Sequence, residues 1–240
     1  NPIGSGRYIL TQWDRGQQAV LEANPDYYGD EIKMKKVIVL FQDEDAALAN
    51  AQAGITDVAY TSAIYSNEKV DGFSLFVCKS VDSRGISLPI NKSGYTISEG
   101  DTAYPAGNDV TSDKALRQAM NYGLDRRKMI DNVLGGYGEA AYSVSDNMPW
   151  SSKDVICAYD PEKAKQLLSA SGWKDEDNDG ILEKDGLKAE FTIYYSASDS
   201  VRQALTVEFS NQMAELGISV LYEGLGSWDE LYTHQYSDPI

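Results

Sequence analysis

Apolar and polar side chains alternate in two short segments near the beginning of the chain, residues 7–13 and 18–23. Between these segments lie Asp14, Arg15 and Gly16, residue types that favour a tight turn. Alternation with a period of two on both sides of a turn predicts a β-hairpin.

The next apolar segments predict further strands around one helix. A strand is expected at 36–42, and the Ala and Leu spacing of 45–53 predicts a helix that packs on a sheet. A strand at 56–60 is expected to return to that sheet. Two more strands and a polar, glycine-rich loop are predicted at 73–78, 85–90 and 91–110.

Two helices are predicted in the middle of the chain. Thr111 or Ser112 is the expected N-cap of the first, because a hydroxyl oxygen can accept a free backbone N–H there. The second is expected to end at Gly135 and Gly136. Their apolar faces are Leu116, Ala119, Met120 and Leu124 in the first and Met129, Ile130, Val133 and Leu134 in the second.

The last third has the clearest boundary signals. Asp160 is the expected N-cap of a helix, with Pro161 at its first position and Gly172 just after its end. A β-α-β unit is predicted next, with its strand, helix and strand at 188–195, 201–216 and 218–222. The order of elements predicts an α/β fold.

The charge of the chain limits the classes of partner. Its 240 residues include 37 acidic and 21 basic side chains, which gives a formal net charge of −16. Recognition of nucleic acid or of an anionic membrane requires basic patches, so neither partner is expected. No apolar run approaches the roughly 18 residues of a membrane-spanning helix.

The two cysteines, Cys78 and Cys157, lie far apart in apolar segments and lack metal-ligand spacing. Two buried free thiols are expected, and a disulfide between them stays an alternative.

An acidic segment follows Trp173, with oxygen-bearing side chains at every second position and then a glycine. This pattern is typical of the start of a calcium-binding loop. Gly186 occupies the twelfth position, where an EF-hand has its bidentate Glu, so a weaker site is expected. The alternative is a solvated turn without an ion. The candidate ligands are Asp175, Asp177, Asp179, the carbonyl of Ile181, and Glu183.

The residue spacing predicts no catalytic site. A nucleophile, a base and an orienting residue are not grouped, so no enzymatic activity is expected. A hydrolase with paired carboxylates is the enzyme alternative, although such pairs arise by chance in an acidic chain.

Several ordered motifs resemble those of the peptide/nickel family, family 5, of extracellular solute-binding proteins that serve ABC importers. The motifs are N-P-I-G-S-G-R-Y at 1–8, N-P-D-Y-Y-G at 24–29, Q-A-G at 52–54, A-L-R-Q-A-M-N-Y-G-L-D-R at 115–126, Y-D-P-E-K-A-K-Q-L-L at 159–168 and S-G-W at 171–173.

The resemblance implies a periplasmic-binding-protein-like architecture of the class II, cluster C type, with two lobes that enclose the ligand. Residues 1–83 match a segment of the first lobe, and residues 84–240 match the first part of the second lobe. A hinge is expected at 81–87. Because family members carry these motifs in mid-sequence, the chain is expected to be an internal fragment without its export signal, and the architecture incomplete.

The resemblance favours peptide capture for import. Binding of a nickel chelate or another small solute by the same receptor type is the alternative, and a calcium-stabilised interaction module is a third. ABC permease subunits are the expected partners of an extracytoplasmic monomer that touches the membrane only through a lipid anchor. No cofactor is required, apart from the calcium considered above.

The resemblance also suggests residues that contact ligand. Each has another interpretation: Tyr60 covers the edge of the core, Arg84 pairs with nearby acids, and Trp150 fills a gap under a loop. The ligand-binding candidates are Tyr60, Thr61, Ser62, Arg84, Asn147 and Trp150.

Overall fold

The computed structural model describes residues 4–99 and 101–237, and the first three residues of the N-terminal motif lie outside this range. The chain forms two compact units. The first comprises Asn1–Ser62 and Lys69–Ser74, and the second comprises Ala63–Glu68 and Leu75–Ile240. The lobe boundary at residue 83 and the hinge at 81–87 stay predictions.

The first unit contains an antiparallel sheet of three strands, β1 (Tyr8–Asp14), β2 (Gln18–Ala23) and β3 (Lys36–Leu40), with β2 in the centre. Helix α1 (Glu44–Gln52) follows and buries Ala47 and Ala51. The predicted hairpin, third strand and helix are therefore confirmed.

Asn24 explains the turn in the N-P-D-Y-Y-G motif. Its side-chain amide donates to the carbonyl of Gly6 over 3.0 Å, and its side-chain oxygen accepts the N–H of Asp26 over 3.0 Å. The motif thus ties the end of β2 to the segment that leads into β1.

The first strands of the second unit form a short hairpin, β4 (Thr96–Glu99) and β5 (Thr102–Pro105), whose connecting Gly100 lies outside the described residues. The prediction of an uninterrupted loop over 91–110 was wrong. The hairpin is half polar and largely exposed, so it lacks the apolar alternation by which a buried strand is recognised.

The strands predicted at 56–60, 73–78 and 85–90 do not form in the described part of the chain. The segments run without a ladder partner, although Phe76 and Val77 have the side chains that strands prefer. The side chains of a segment indicate its preference for an extended backbone. A strand also requires a neighbouring strand with which it can pair.

Three helices follow: α2 (Lys114–Gly123), α3 (Arg126–Leu134) and α4 (Pro161–Ala170). The predicted N-cap of α2 was wrong, because Asp113 accepts the N–H groups of Ala115 and Leu116. Thr111 instead donates to the carbonyl of Pro89, and Ser112 donates to that of Asp109. The carboxylate is the stronger acceptor.

The other predicted boundaries are confirmed. Asp160 accepts the N–H of Lys163 at the start of α4, and Pro161 is its first residue. Gly135 adopts a left-handed conformation, φ 58°, directly after α3, which a residue with a Cβ adopts only with strain.

The predicted β-α-β unit is also confirmed. After the short pair β6 (Glu183–Lys184) and β7 (Leu187–Lys188), strand β8 (Glu190–Ser196) pairs in parallel with β9 (Ser219–Leu225), and α5 (Ser200–Ala214) connects them. Helix α6 (Trp228–Ser237) is the last element of the described residues.

One buried core joins these elements, so that α2, α4 and α5 pack with β8 and β9. The members with relative exposure of at most 2% are Leu116, Ala119, Ala164, Leu168, Ala189, Met213 and Ile218. Burial of side chains of this size contributes roughly 1.5–3 kcal/mol each for the Leu, Ile and Met members.

Cys78 and Cys157 are free, as expected, but they are not buried. Cys78 is exposed and Cys157 is partly exposed. The apolar segments around them supply no core at these positions, and Phe76 is itself 84% exposed.

Candidate functional site

The candidates Tyr60, Thr61 and Ser62 lie in the first unit, in an irregular segment after α1. Tyr60 is 79% exposed, so it does not cover the edge of a core. The hydroxyl oxygen of Ser62 is buried and has no hydrogen-bond partner among the described residues.

Arg84 belongs to the second unit, and its guanidinium is held by carboxylates. One terminal nitrogen donates to Oδ1 of Asp199 over 3.3 Å, and Nε lies 3.8 Å from Asp82. Asp199 also caps α5 by accepting the N–H of Arg202. Arg84 therefore has the acidic partners that its alternative interpretation expected, at the carboxyl end of β8.

Asn147 and Trp150 lie on a loop that is organised by Asp146. The carboxylate of Asp146 accepts the N–H of Tyr142, the hydroxyl of Ser143 over 2.9 Å and, more weakly, the hydroxyl of Ser151 over 3.4 Å. The N–H of Tyr142 is the main reason that the pKa of Asp146 lies below its ordinary value.

This loop presents its candidates to solvent. Asn147 has φ 64°, a left-handed conformation that Asn adopts more readily than most residues. Trp150 is 71% exposed, so it does not fill a gap beneath the loop.

Arg126 holds the beginning of the same loop. Its Nε donates to the carbonyl of Ala141 over 3.0 Å, and its guanidinium carbon lies 4.7 Å from the centre of the Tyr142 ring. A terminal nitrogen also donates to the side chain of Asn121 over 2.6 Å. Burial lowers the pKa of Arg126, but the neighbouring groups leave it a cation.

Sequence reasoning missed the roles of Asp146 and Arg126. The spacing Ser143-x-x-Asp146 is a turn signal, and Arg126 ends one of the family motifs, but neither feature shows which side chains the folded loop brings together.

The acidic loop brings three of its five predicted ligands together. One carboxylate oxygen from each of Asp175, Asp177 and Glu183 lies within 4.8 Å of the others. Asp175 accepts the N–H of Gly180 and Asp177 accepts that of Asp179, so backbone donors hold the loop in its curved shape.

Lys188 places a positive charge beside this cluster. Its ammonium bonds Asp179 and lies 3.5 Å from Asp177 and 3.8 Å from Glu183. Asp179 is thus engaged by a lysine instead of joining the three carboxylates, and the amide rather than the carbonyl of Ile181 bonds within the loop, to Asp179.

The bond to Asp179 is the main reason that the pKa of Lys188 is raised, and the same bond lowers the pKa of Asp179. Both groups are therefore charged at neutral pH. A cation that binds the three carboxylates must compete with this ammonium.

Among the described residues, no helix combines the length and the apolar character that a membrane span needs.

The chain is similar in sequence to named bacterial proteins. Protein XP55 of Streptomyces lividans is 30% identical over 245 residues, which cover all of this chain and 42% of that protein. The oligopeptide-binding protein AppA of Bacillus subtilis is 33% identical over 224 residues, which cover 91% of this chain and 39% of AppA. The chain thus spans about two fifths of the length of these relatives.

Solved structures show the same likeness. AppA from Bacillus subtilis in complex with a nonapeptide matches 97% of this chain and 44% of its own, with a TM-score of 0.64 and 31% identity. NikZ from Campylobacter jejuni in complex with Ni(L-His) matches 95% of this chain and 44% of its own, with a TM-score of 0.69 and 28% identity.

The match to the family is nearly complete along the chain. The sequence profile of the bacterial extracellular solute-binding proteins, family 5, middle region, aligns with residues 1–239. The structural matches have the periplasmic-binding-protein fold, in agreement with the fold that the motifs implied. This chain belongs to family 5 of the bacterial extracellular solute-binding proteins.

Proposed function

We propose that this chain forms part of a receptor that captures a peptide and delivers it to an ABC importer. The observation that supports this proposal most is the likeness in sequence and fold to AppA, which is named an oligopeptide-binding protein and whose structure holds a nonapeptide. The family is one of binding proteins, and we expect no catalytic activity from this chain.

The second unit offers suitable chemistry for a peptide. In parallel sheets, ligands bind beyond the carboxyl ends of the strands, and Arg84 lies beside Asp199 at the carboxyl end of β8. Trp150 offers an exposed indole for an apolar side chain, and Asn147 offers an amide for hydrogen bonds to a peptide backbone. We propose these three residues as ligand contacts.

In the first unit, Tyr60, Thr61 and Ser62 are proposed as further contacts. Tyr60 has an exposed ring and a hydroxyl, and the hydroxyl of Ser62 has no hydrogen-bond partner among the described residues.

A nickel chelate is the second candidate solute. The observation that favours it is the structural likeness to NikZ with bound Ni(L-His). A metal that enters as a chelate is a ligand of the receptor, and it needs no metal site made only of protein side chains.

We further propose that calcium binds the acidic loop through Asp175, Asp177 and Glu183 and stabilises the fold. The close approach of the three carboxylates supports this proposal. Such an ion would act structurally, because the loop connects α4 to β6 at the surface. A calcium-stabilised module that binds no solute is the third functional candidate.

ABC permease subunits are the proposed partners. The proposed location is outside the cytoplasm, with a lipid anchor as the only membrane attachment and the protein as a monomer. Neither nucleic acid nor a catalytic cofactor is part of the proposal.

Titration calorimetry tests the function. A mixed peptide pool and nickel–histidine are titrated separately into the longest soluble form of the protein. We expect heat of binding with peptide. Binding of nickel–histidine without a response to peptide would favour the second candidate. A calcium-dependent melting temperature without any response to solute would favour the third.

A further inference from the structure

The loop 142–151 combines internal order with outward apolar side chains. Val144 is 94% exposed and Trp150 is 71% exposed. Both are carried by a segment in which one carboxylate, Asp146, accepts three hydrogen bonds. Ordering a loop costs conformational entropy. An exposed loop is therefore expected to be mobile unless its ordered conformation serves a purpose.

The bonds of Asp146 join the two ends of the loop. Its oxygens accept from Tyr142 and Ser143 at the start and from Ser151 at the end. Trp150 directly precedes Ser151, so the backbone that carries the indole is held close to a fixed carboxylate.

Two residues outside the loop fix it. Arg126 on α3 bonds the carbonyl of Ala141 and covers the ring of Tyr142. The hydroxyl of Ser83 donates to the carbonyl of Val144 over 3.3 Å. Ser83 belongs to the segment 81–87 in which a hinge is expected, so this bond connects that segment to the loop.

The core does not explain this order. Among the described residues, no buried apolar side chain lies between Ile130 and Ala164. The network around Asp146 therefore supports a surface segment that contributes little to the packing of the fold. Preorganisation of a contact surface accounts for it, because a fixed side chain loses less entropy when a ligand binds.

We propose that Asp146 is a positioning residue that holds Trp150 for contact with an apolar side chain of the solute. Asp146 acts through the loop and does not itself touch the ligand. This inference rests on the proposed peptide-binding function, and it adds that an apolar side chain on the peptide is recognised at Trp150.

The test is a double-mutant cycle in the form of the protein used for calorimetry. Asp146→Asn, Trp150→Ala and the double variant are titrated with one peptide that has a Leu side chain and a matched peptide with Ser in its place. Asp154→Asn is the control, because Asp154 has the same charge, is exposed and lies four residues beyond Trp150.

We expect each single variant to weaken binding of the Leu peptide by about tenfold, the size of one apolar contact. The double variant should be no weaker than Trp150→Ala, because Asp146 acts through Trp150. The affinity of each variant for the Ser peptide should change little. Asp154→Asn should bind both peptides with nearly the affinity of the parent. Additive losses in the double variant, or equal losses for both peptides, would overturn the proposal.

Hydrogen exchange without solute gives an independent measurement. In Asp146→Asn, the amides of 142–151 should exchange at least about tenfold faster, while those of α2 and α5 keep their protection. Unchanged exchange in the loop would overturn the positioning role. Absence of peptide binding in the parent protein would overturn the proposed function and the apolar contact with it, and the exchange result would still decide whether Asp146 orders the loop.

Discussion

The ammonium of Lys184 lies 2.6 Å from Oδ2 of Asp113, and both side chains are mostly buried. The same carboxylate caps α2 through the N–H groups of Ala115 and Leu116. The indole N–H of Trp173 also approaches it, over 3.3 Å. Asp113 thus connects the start of α2, strand β6 and Trp173, which lies three residues beyond the end of α4.

Removal of this carboxylate should destabilise the second unit. We expect Asp113→Ala to lower the free energy of unfolding by about 2–4 kcal/mol, because the change removes a helix cap and leaves Lys184 without its partner. Urea denaturation of the chain measures the loss. Asp154→Ala is the control and should change the free energy by less than about 0.5 kcal/mol, as exposed substitutions do. Equal effects of the two variants would contradict the role of Asp113.

The same pair predicts a dependence of stability on pH. Burial raises the pKa of Asp113, but Lys184 and the two backbone donors outweigh burial, so its pKa lies below the usual 3.8. A folded-state pKa below the unfolded value stabilises the fold above the unfolded value and loses that effect as the pH falls through the folded pKa. The difference in free energy of unfolding between the parent and Asp113→Asn should therefore be constant near neutral pH and shrink below about pH 4. A difference that grows towards acid would contradict this assignment.

The boundaries that sequence predicted well are those set by neighbouring residues. Asp160 and Pro161 begin α4 and Gly135 ends α3, because a cap and a left-handed turn depend on a few adjacent positions. The N-cap of α2 shows the limit of this reasoning. Thr111, Ser112 and Asp113 are all good caps, and the cap that forms, Asp113, also bonds Lys184, which lies 71 residues away and which no local signal indicates.

Contacts between distant segments were not predictable from one sequence. The apolar residues around Phe76 prefer an extended backbone, but no local signal shows whether a neighbouring strand is present. In the candidate site, Trp150 and Asn147 were predicted from the sequence and stay predictions, whereas Arg126 and Asp146, which order their loop, were not predicted. For the acidic loop, the alternation predicted Asp175, Asp177 and Glu183 as candidate ligands, and their carboxylates lie close together. It could not show that Lys188 engages Asp179.

Calcium should stabilise the chain modestly. At millimolar concentration we expect a rise of a few degrees in melting temperature, because an ion that binds only the folded state stabilises it. Asp177→Asn should remove the rise, since it takes away one of the three close carboxylates.

Lys188→Gln tests whether the ammonium of Lys188 competes with calcium for the carboxylates. The change removes the ammonium near Asp177 and Glu183, so the stabilisation by calcium should increase relative to the parent. Thermal melting with calcium and with a chelator measures both variants. Identical melting curves in the two solutions, for the parent and for Lys188→Gln, would show that the acidic segment is an ordinary turn.

Arg84 is expected to serve both stability and binding. Arg84→Met should lower the free energy of unfolding by only about 1 kcal/mol, because its ion pairs are partly exposed to solvent. If Arg84 also contacts a carboxylate or carbonyl of the solute, the affinity for peptide should fall by more than this loss of stability explains. Arg127→Met is the control, since Arg127 pairs with Asp131 on the exposed face of α3. Equal affinities for the two variants would remove Arg84 from the proposed contacts.

The 240 residues by themselves should fold but bind peptide weakly. The apolar core that joins α2, α4 and α5 to the β8–β9 pair is sufficient for a stable second unit, so a cooperative unfolding transition is expected.

Tight capture in a two-lobe receptor depends on enclosure, because closure surrounds the ligand and removes water from its polar contacts. The chain matches only about two fifths of the length of relatives such as AppA, so more than half of each of those proteins has no counterpart in it. Calorimetry with the same peptide pool, applied to this chain and to AppA over its full length, measures the difference. Equal, tight binding by both would show that the residues needed for capture all lie within these 240 and that enclosure by further chain is unnecessary.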